Sequence, residues 1–428
     1  MLTTSLLLLT ACAAHGSGMP GPLAGSRPRG IILFIGDGMG FSQVTLGRLA
    51  KGGPDARLAL DDFPVTGFAK THSADQWVTD SAAAATALAA GVKTKNFAIG
   101  MDAQGAAIRS IAEAARDKGY ATGLVTTSRI THATPGPFAA HVAVRTSEAE
   151  IARQYVDAGI DVLMGGGEAL FTSDLLGRYS EKGYHIVRTR GELVACGAKK
   201  LLGLFAEQHF DYVIDRPSTC PSLAEMTRRA IEVLSDRPFF LMVEGARIDM
   251  ACHSADAPSS ALEMIEFDEA VGVARQLAGP GTLIVVTADH ATNGLDITEK
   301  TMSQWGNAAR VKASADRIAS LVDPRDAAGL RAALKEWAGI EDVTDVEAQL
   351  FLAATGPYDP AMRIGEIISR RCGITWMPSD HRMAAPNLTH GHDGAMVPVY
   401  ACGPGAERFA GTLDNTDLPK RMRQQLGL

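Results

Sequence analysis

Carboxylates, imidazoles and one serine are spaced along this chain as metal-assisted phosphoryl transfer would require. Asp37 follows an apolar run at residues 31–35, within Gly36-Asp37-Gly38. Glu244, Asp249 and His253 follow the run at 239–243; Asp289 and His290 follow the run at 283–286; His392 comes late. His132 and Thr134 lie beyond the run at 123–125. Such side chains supply the ligands of a multi-metal site. Ser81, inside Thr79-Asp80-Ser81-Ala82-Ala83-Ala84-Ala85-Thr86-Ala87, supplies a nucleophile. The alanines after it predict a helix. A helix start offers free N–H groups and partial positive charge to a phosphate and to a serine alkoxide.

The elements that must position these residues follow from periodicity. Each short apolar run reads as a buried strand. Helices are predicted at 108–118, 147–158 and 222–235, with strands at 122–125 and 162–164 between them. This rhythm predicts an α/β fold: a large, mostly parallel central sheet with helices on both faces. In such sheets ligands bind beyond the carboxyl ends of the strands, so residues distant in sequence meet at one edge. The four-residue step from Asp249 to His253 would put both on one helix face. Residues from about 297 to 385 read as a helical insertion. Asp323-Pro324 predicts a cap and N1 proline ahead of Leu330, Leu334 and Trp337. Thr344 to Glu347 is a capping box. Asp359-Pro360 opens a third helix that turns Ile364, Ile367 and Ile368 inward and stops at Gly373.

Composition agrees with a large enzyme. The chain has 428 residues, 46% hydrophobic and 21% charged, with a formal net charge of −7 and no basic block. Nothing in that balance suggests nucleic-acid binding. Residues 1–29 read as a signal or lipoprotein-type segment and tether, and 30–428 as the catalytic domain. Leu9-Thr10-Ala11-Cys12 resembles a bacterial lipoprotein processing box, with Cys12 as the lipid anchor and the protein exported to the periplasm or held at a membrane. No Lys or Arg precedes its apolar run, which departs from a secretory signal. Of the five remaining cysteines, Cys252 and Cys402 are expected as buried thiols, and Cys196 and Cys220 could bridge in an oxidising compartment.

The motifs resemble the alkaline phosphatase family. Asp37-Gly38-Met39-Gly40 is similar to its first metal-binding motif, and residues 78–91 with Lys93-Thr94 to its nucleophile motif. Thr131-His132-Ala133-Thr134-Pro135, Val243-Glu244-Gly245-Ala246 with Asp249 and His253, Thr287-Ala288-Asp289-His290 and His392-Asp393-Gly394 complete the match, in the family's order. The resemblance implies Asp249, His253 and His392 on a first zinc, Asp37, Asp289 and His290 on a second, and Asp37, Thr134 and Glu244 on a third ion, normally magnesium. It implies Ser81 as nucleophile, Arg145 as the phosphate clamp and His392 rather than His390 as ligand. Small phosphate monoesters are the implied substrates, hydrolysed through a phosphoserine intermediate, and a homodimer is common in the family. His132 stands where some bacterial members carry aspartate, and Met250 where they carry lysine. His132 is therefore placed behind the third site, which should hold magnesium less tightly. The alternatives are a phosphodiesterase or sulfatase of the same superfamily, and a non-catalytic metal-binding surface lipoprotein.

Overall fold

Every apolar run that leads to a candidate ligand is a strand of one sheet. In the computed structural model, which describes residues 27–354, 359–377 and 391–428, the strands are β1 (Gly30–Gly36), β2 (Val65–Lys70), β3 (Ala121–Arg129), β4 (Val162–Gly166), β5 (His185–Val187), β6 (Leu201–Leu204), β7 (Phe239–Gly245), β8 (Thr282–Ala288), β9 (Ala291–Thr292), β10 (Asp296–Ile297), β11 (Ile374–Thr375), β12 (His392–Asp393), β13 (Val397–Cys402) and β14 (Gly411–Asp414). Ten form the main sheet in the order β14-β2-β13-β8-β1-β7-β3-β4-β6-β5. β13 runs antiparallel to both of its neighbours, and the other pairings are parallel. The large, mostly parallel sheet of the α/β expectation is therefore present.

β1, β7 and β8 are buried along their whole length, which is why they read as unbroken apolar runs rather than alternating ones. Their register sets the site. Gly36 lies opposite both Gly245 and Ala288, and Ile35 lies opposite Glu244. Asp37, Glu244 and Asp289 therefore leave the sheet at one level. Helices cap cleanly beside them. The helix Leu223–Leu234 opens on a Ser222–Glu225 capping box, and the helix Ile111–Asp117 on a Ser110–Glu113 box, three residues later than the expected start.

Among the described residues, the stretch expected as an insertion is mostly helical and has its own apolar cluster, including Ile318, Leu330, Leu334, Phe351, Ile364 and Ile368. Its first long helix corrects the expected start at Asp323-Pro324. The helix is Ala327–Ala338 and its cap is Asp326. The Asp323 carboxylate is taken by the Arg325 backbone and guanidinium, which turns the chain before the helix begins. The helices Asp345–Leu352 and Asp359–Arg371 begin at the expected residues. The helix Asp359–Arg371 ends at Gly373, which has φ 77°. The insertion is fastened to the segment after His253. Ser254 Oγ donates to Asp316 Oδ1 at 2.6 Å, Ala315 N to Asp256 Oδ2 at 2.7 Å, and Ser369 Oγ to the Ala255 carbonyl at 2.7 Å. Gly365 passes so close to the Ser254 carbonyl that a Cβ there would lie 1.9 Å from it.

Cys196 and Cys220, which could have bridged, are both free thiols. Cys220 Sγ faces the Pro221 carbonyl at 3.8 Å instead. Cys252 is buried and Cys402 half-buried. Cys12 and its tether lie outside the described residues. Among the described residues no helix is long and apolar enough to cross a membrane.

Arg371 binds both Glu347 oxygens, at 2.8 and 3.0 Å, and so ties two insertion helices together. Burial alone would raise the Glu347 carboxyl, but Arg371 and the Thr344 cap outweigh it and hold it down at about 2. A carboxyl lowered on folding stabilises above its unfolded value and loses that contribution as pH falls towards the folded one. Glu347→Gln should therefore cost about 2 kcal/mol at about pH 7, with the gap to wild type closing between about pH 5 and about pH 2. Thermal melts across that range check it; equal melting of both proteins at neutral pH would contradict the pairing.

Candidate functional site

Asp80, not Ser81, caps the helix Ser81–Ala90: its Oδ1 accepts from Ala83 N at 2.9 Å. Ser81 is thereby the first helical residue, and its hydroxyl is free to face outward from the helix end. Ser81 Oγ lies 3.2 Å from His290 Nε2. Asp80 also accepts from Phe97 N and pairs through Oδ2 with Arg145 at 3.1 Å. One carboxylate thus sets the helix start and aims the guanidinium beside it. The other guanidinium end, Arg145 Nη2, is 3.3 Å from His132 Nε2.

The predicted ligands converge in two groups that share His290. Asp37, Asp289 and His290 form one, and Asp249, His290 and His392 the other, with ligand atoms inside each group within 4.8 Å of one another. His253 joins the second: its Nε2 is 3.1 Å from Asp249 Oδ2 and 3.2 Å from His392 Nε2. The resemblance had assigned His290 to one ion, whereas here it borders both groups. Glu244 and Thr134 stand behind. Thr134 Oγ1 donates to Asp37 Oδ2 at 3.5 Å, and Glu244 Oε2 accepts from Thr126 Oγ1 at 2.5 Å. His390 lies outside the described residues.

Tautomers follow from the hydrogen bonds. His392 Nδ1 meets the Thr79 carbonyl at 3.0 Å, so Nδ1 carries the proton and Nε2 presents a lone pair. Thr292 Oγ1 donates to Asp249 Oδ1 at 2.5 Å, leaving its oxygen to accept from His290 Nδ1 at 3.3 Å. His290 Nε2 then faces Ser81 Oγ, with Asp289 Oδ2 at 3.1 Å and Asp37 Oδ1 at 3.6 Å. Electron pairs point at one another across both groups.

The electrostatics say the same. Asp37, Glu244, Asp249 and Asp289 are all buried. Burial, then Asp289 and Asp249, push Asp37 well above the usual carboxylate range. Burial lifts Glu244 to about 7 against the pull of the Thr126 and Thr134 hydroxyls. Burial would raise Asp249 too, but His253 and His392 hold it well below its usual value. Asp37 Oδ1, Glu244 Oε1 and Asp289 Oδ2 are buried with no hydrogen-bond partner among the described residues. Orphaned carboxylate oxygens and converging imidazole lone pairs fit divalent cations: the nitrogen-containing groups suit zinc, and the all-oxygen set of Asp37, Thr134 and Glu244 suits magnesium.

Several contributors escaped the sequence. Thr292 orients Asp249 and His290. Gln43 accepts from Gly40 N at 3.0 Å and donates to the Thr292 carbonyl at 2.9 Å, tying the turn after Asp37 to β9. Thr126 holds Glu244. Thr292 is two residues beyond His290, the one signal that could have pointed to it. Gln43 and Thr126 read as ordinary helix and strand residues.

Comparison with known proteins agrees with this geometry. The family model described as alkaline phosphatase matches residues 28–428. The chain is 36% identical over 414 residues to alkaline phosphatase 4 of Bacillus subtilis, covering 91% of this chain and 87% of that protein. The crystal structure of Thermus thermophilus alkaline phosphatase superposes with a TM-score of 0.85 at 29% identity, covering 99% of this chain and 96% of that one. A mutant of TAB5 alkaline phosphatase with a histidine exchanged for aspartate, and Mg bound in its M3 site, superposes with a TM-score of 0.67 at 27% identity, covering 94% of this chain and 99% of that one. A match spanning nearly the whole chain, on a sheet of the same design, shows that the protein belongs to the alkaline phosphatase family.

Proposed function

We propose that the chain hydrolyses small phosphate monoesters through a phosphoserine at Ser81. The observation that carries this reading is the position of Ser81 Oγ, at a helix start and 3.2 Å from His290 Nε2, the ring shared by two groups of metal-type ligands. Asp249, His253 and His392 would hold one zinc, Asp37, Asp289 and His290 a second, and Asp37, Thr134 and Glu244 a magnesium. Bound there, such ions would neutralise the carboxylates, favour the serine alkoxide and activate water.

The protein's own groups do the rest. The helix start offers N–H groups to a phosphate oxygen. Arg145, held by Asp80, presents a planar fork to two more. Asp80 keeps Ser81 out of the capping role, so its hydroxyl stays available for in-line attack. The Thr79 carbonyl and Thr292 hydroxyl fix the proton on Nδ1 of His392 and His290, which keeps Nε2 of both rings turned inward.

Ser81→Ala should lower kcat by at least about 10³-fold and abolish phosphate labelling of the protein, with bound metal unchanged. Labelling of the variant would remove Ser81 from the role, and a wild-type preference for diesters or sulfate esters would favour the superfamily alternatives. Thr292→Val keeps the shape but removes the bond to Asp249, and should weaken zinc retention by about 10-fold or more in a chelator titration. Unchanged retention would make Thr292 a bystander. His132→Asp with Met250→Lys should raise magnesium affinity and strengthen inhibition by inorganic phosphate, each by about 10-fold. Equal magnesium and phosphate responses in both proteins would show that these positions do not tune the site.

A further inference from the structure

The segment ahead of Ser81 carries more than a helix cap. Thr79 offers its carbonyl to His392 Nδ1 at 3.0 Å. Asp80 accepts from Ala83 N at the helix start and pairs with Arg145. Both roles need this backbone to keep its extended course, and Asp80 has φ −94° and ψ 167°. Yet residues 78–80 belong to no strand among the described residues, so no sheet ladder holds them.

One side chain supplies the missing pairing. Asn96 Oδ1 accepts from Asp80 N at 3.1 Å, and Asn96 Nδ2 donates to the Val78 carbonyl at 3.1 Å. A single planar carboxamide thus meets the C=O and N–H groups on either side of Thr79, as a residue of a neighbouring parallel strand would. An asparagine in a loop usually bonds its own backbone two residues on. The carboxamide partners of Asn96 lie 16 and 18 positions away instead.

The loop that carries Asn96 is itself fixed on both sides. Asn96 N donates to Asp75 Oδ1 at 3.0 Å, and Ala74 N to the Thr94 carbonyl at 2.8 Å. Phe97 then turns at φ 72°, a left-handed conformation rare for a bulky residue. Its N–H donates to Asp80 Oδ1 at 3.1 Å, and its carbonyl accepts from Arg145 N at 2.8 Å. Backbone strain of this kind persists where surrounding bonds over-determine it.

We propose that Asn96 is a positioning residue for the reaction at Ser81. Its carboxamide holds the Val78–Asp80 backbone so that Thr79 faces His392 while Asp80 serves the Ser81 helix and Arg145 at once. The proposal rests on the monoesterase reading above.

The test uses the metal-loaded protein, with 4-nitrophenyl phosphate as substrate and inorganic phosphate as inhibitor. Asn96→Ala removes both side-chain bonds. It should lower kcat/KM by about 10-fold or more and weaken phosphate inhibition by about 10-fold. Asn96→Asp keeps the shape and the acceptor but sets an oxygen against the Val78 carbonyl, and should also lose about 10-fold or more in kcat/KM. Lys95→Ala, at an exposed neighbour on the same loop, should stay within about twofold of wild type. In an Arg145→Ala background, Asn96→Ala should weaken phosphate inhibition by less than about threefold further, because the guanidinium aimed through Asp80 is already gone. A lower melting temperature with kcat/KM and phosphate inhibition unchanged in the Asn96 variants would make Asn96 a turn residue and overturn the proposal. Equal weakening of phosphate inhibition with and without Arg145 would overturn it too. Absence of wild-type hydrolysis would instead overturn the monoesterase reading itself, and this inference with it.

Discussion

Four buried carboxylates at one edge of a parallel sheet are the constraint on which the rest of this structure depends. Asp37, Glu244, Asp249 and Asp289 sit together because β1, β7 and β8 pack in register and are apolar along both faces. Left alone, the carboxylates would repel one another and lift each other's pKa, as burial and Asp289 do to Asp37. The apolar core holds them against that repulsion. The hydrophobic runs thus have a second task beyond stability: they concentrate negative charge at an edge suited to cations.

Around that charge, neutral groups hold direction rather than add to the imbalance. Thr292, Thr126, the Thr79 carbonyl and Gln43 orient carboxylates and imidazoles by hydrogen bonds. The Arg145 guanidinium is matched by Asp80, which also caps the Ser81 helix. Ser81 and Arg145 are in this way positioned by one carboxylate, and a shift in either would disturb both.

Much of this was legible in the sequence, for physical reasons. Strands buried on both faces give unbroken apolar runs, and a parallel sheet gathers the residues at their carboxyl ends along one edge, so Asp37, Glu244, Asp289 and His290 could be placed before any coordinate. Capping boxes such as Thr344 to Glu347 were legible because the competing partner lies within one turn. Where two local partners compete, the reading failed: Asp323 is captured by Arg325, and the helix waits for Asp326. The sharing of His290 between two groups depends on where three strands and a helix finally settle, which no local pattern encodes. The same holds for Thr292, whose importance comes from Asp249, 43 positions away. Cys196 and Cys220 share a region of sequence but not a bond.

The fastening of the insertion to residues 254–257 gives this appendage an unexpected hold over the catalytic edge. Ala255 sits at φ 50°, a left-handed conformation that alanine rarely adopts, and its carbonyl is gripped by Ser369. Small satellite clusters open locally at lower free energy than a ten-stranded sheet. Warming that loosens the insertion would release this turn, and with it His253, while the sheet is still intact. The enzyme's useful temperature span would then be set at its periphery, by residues that touch no ligand.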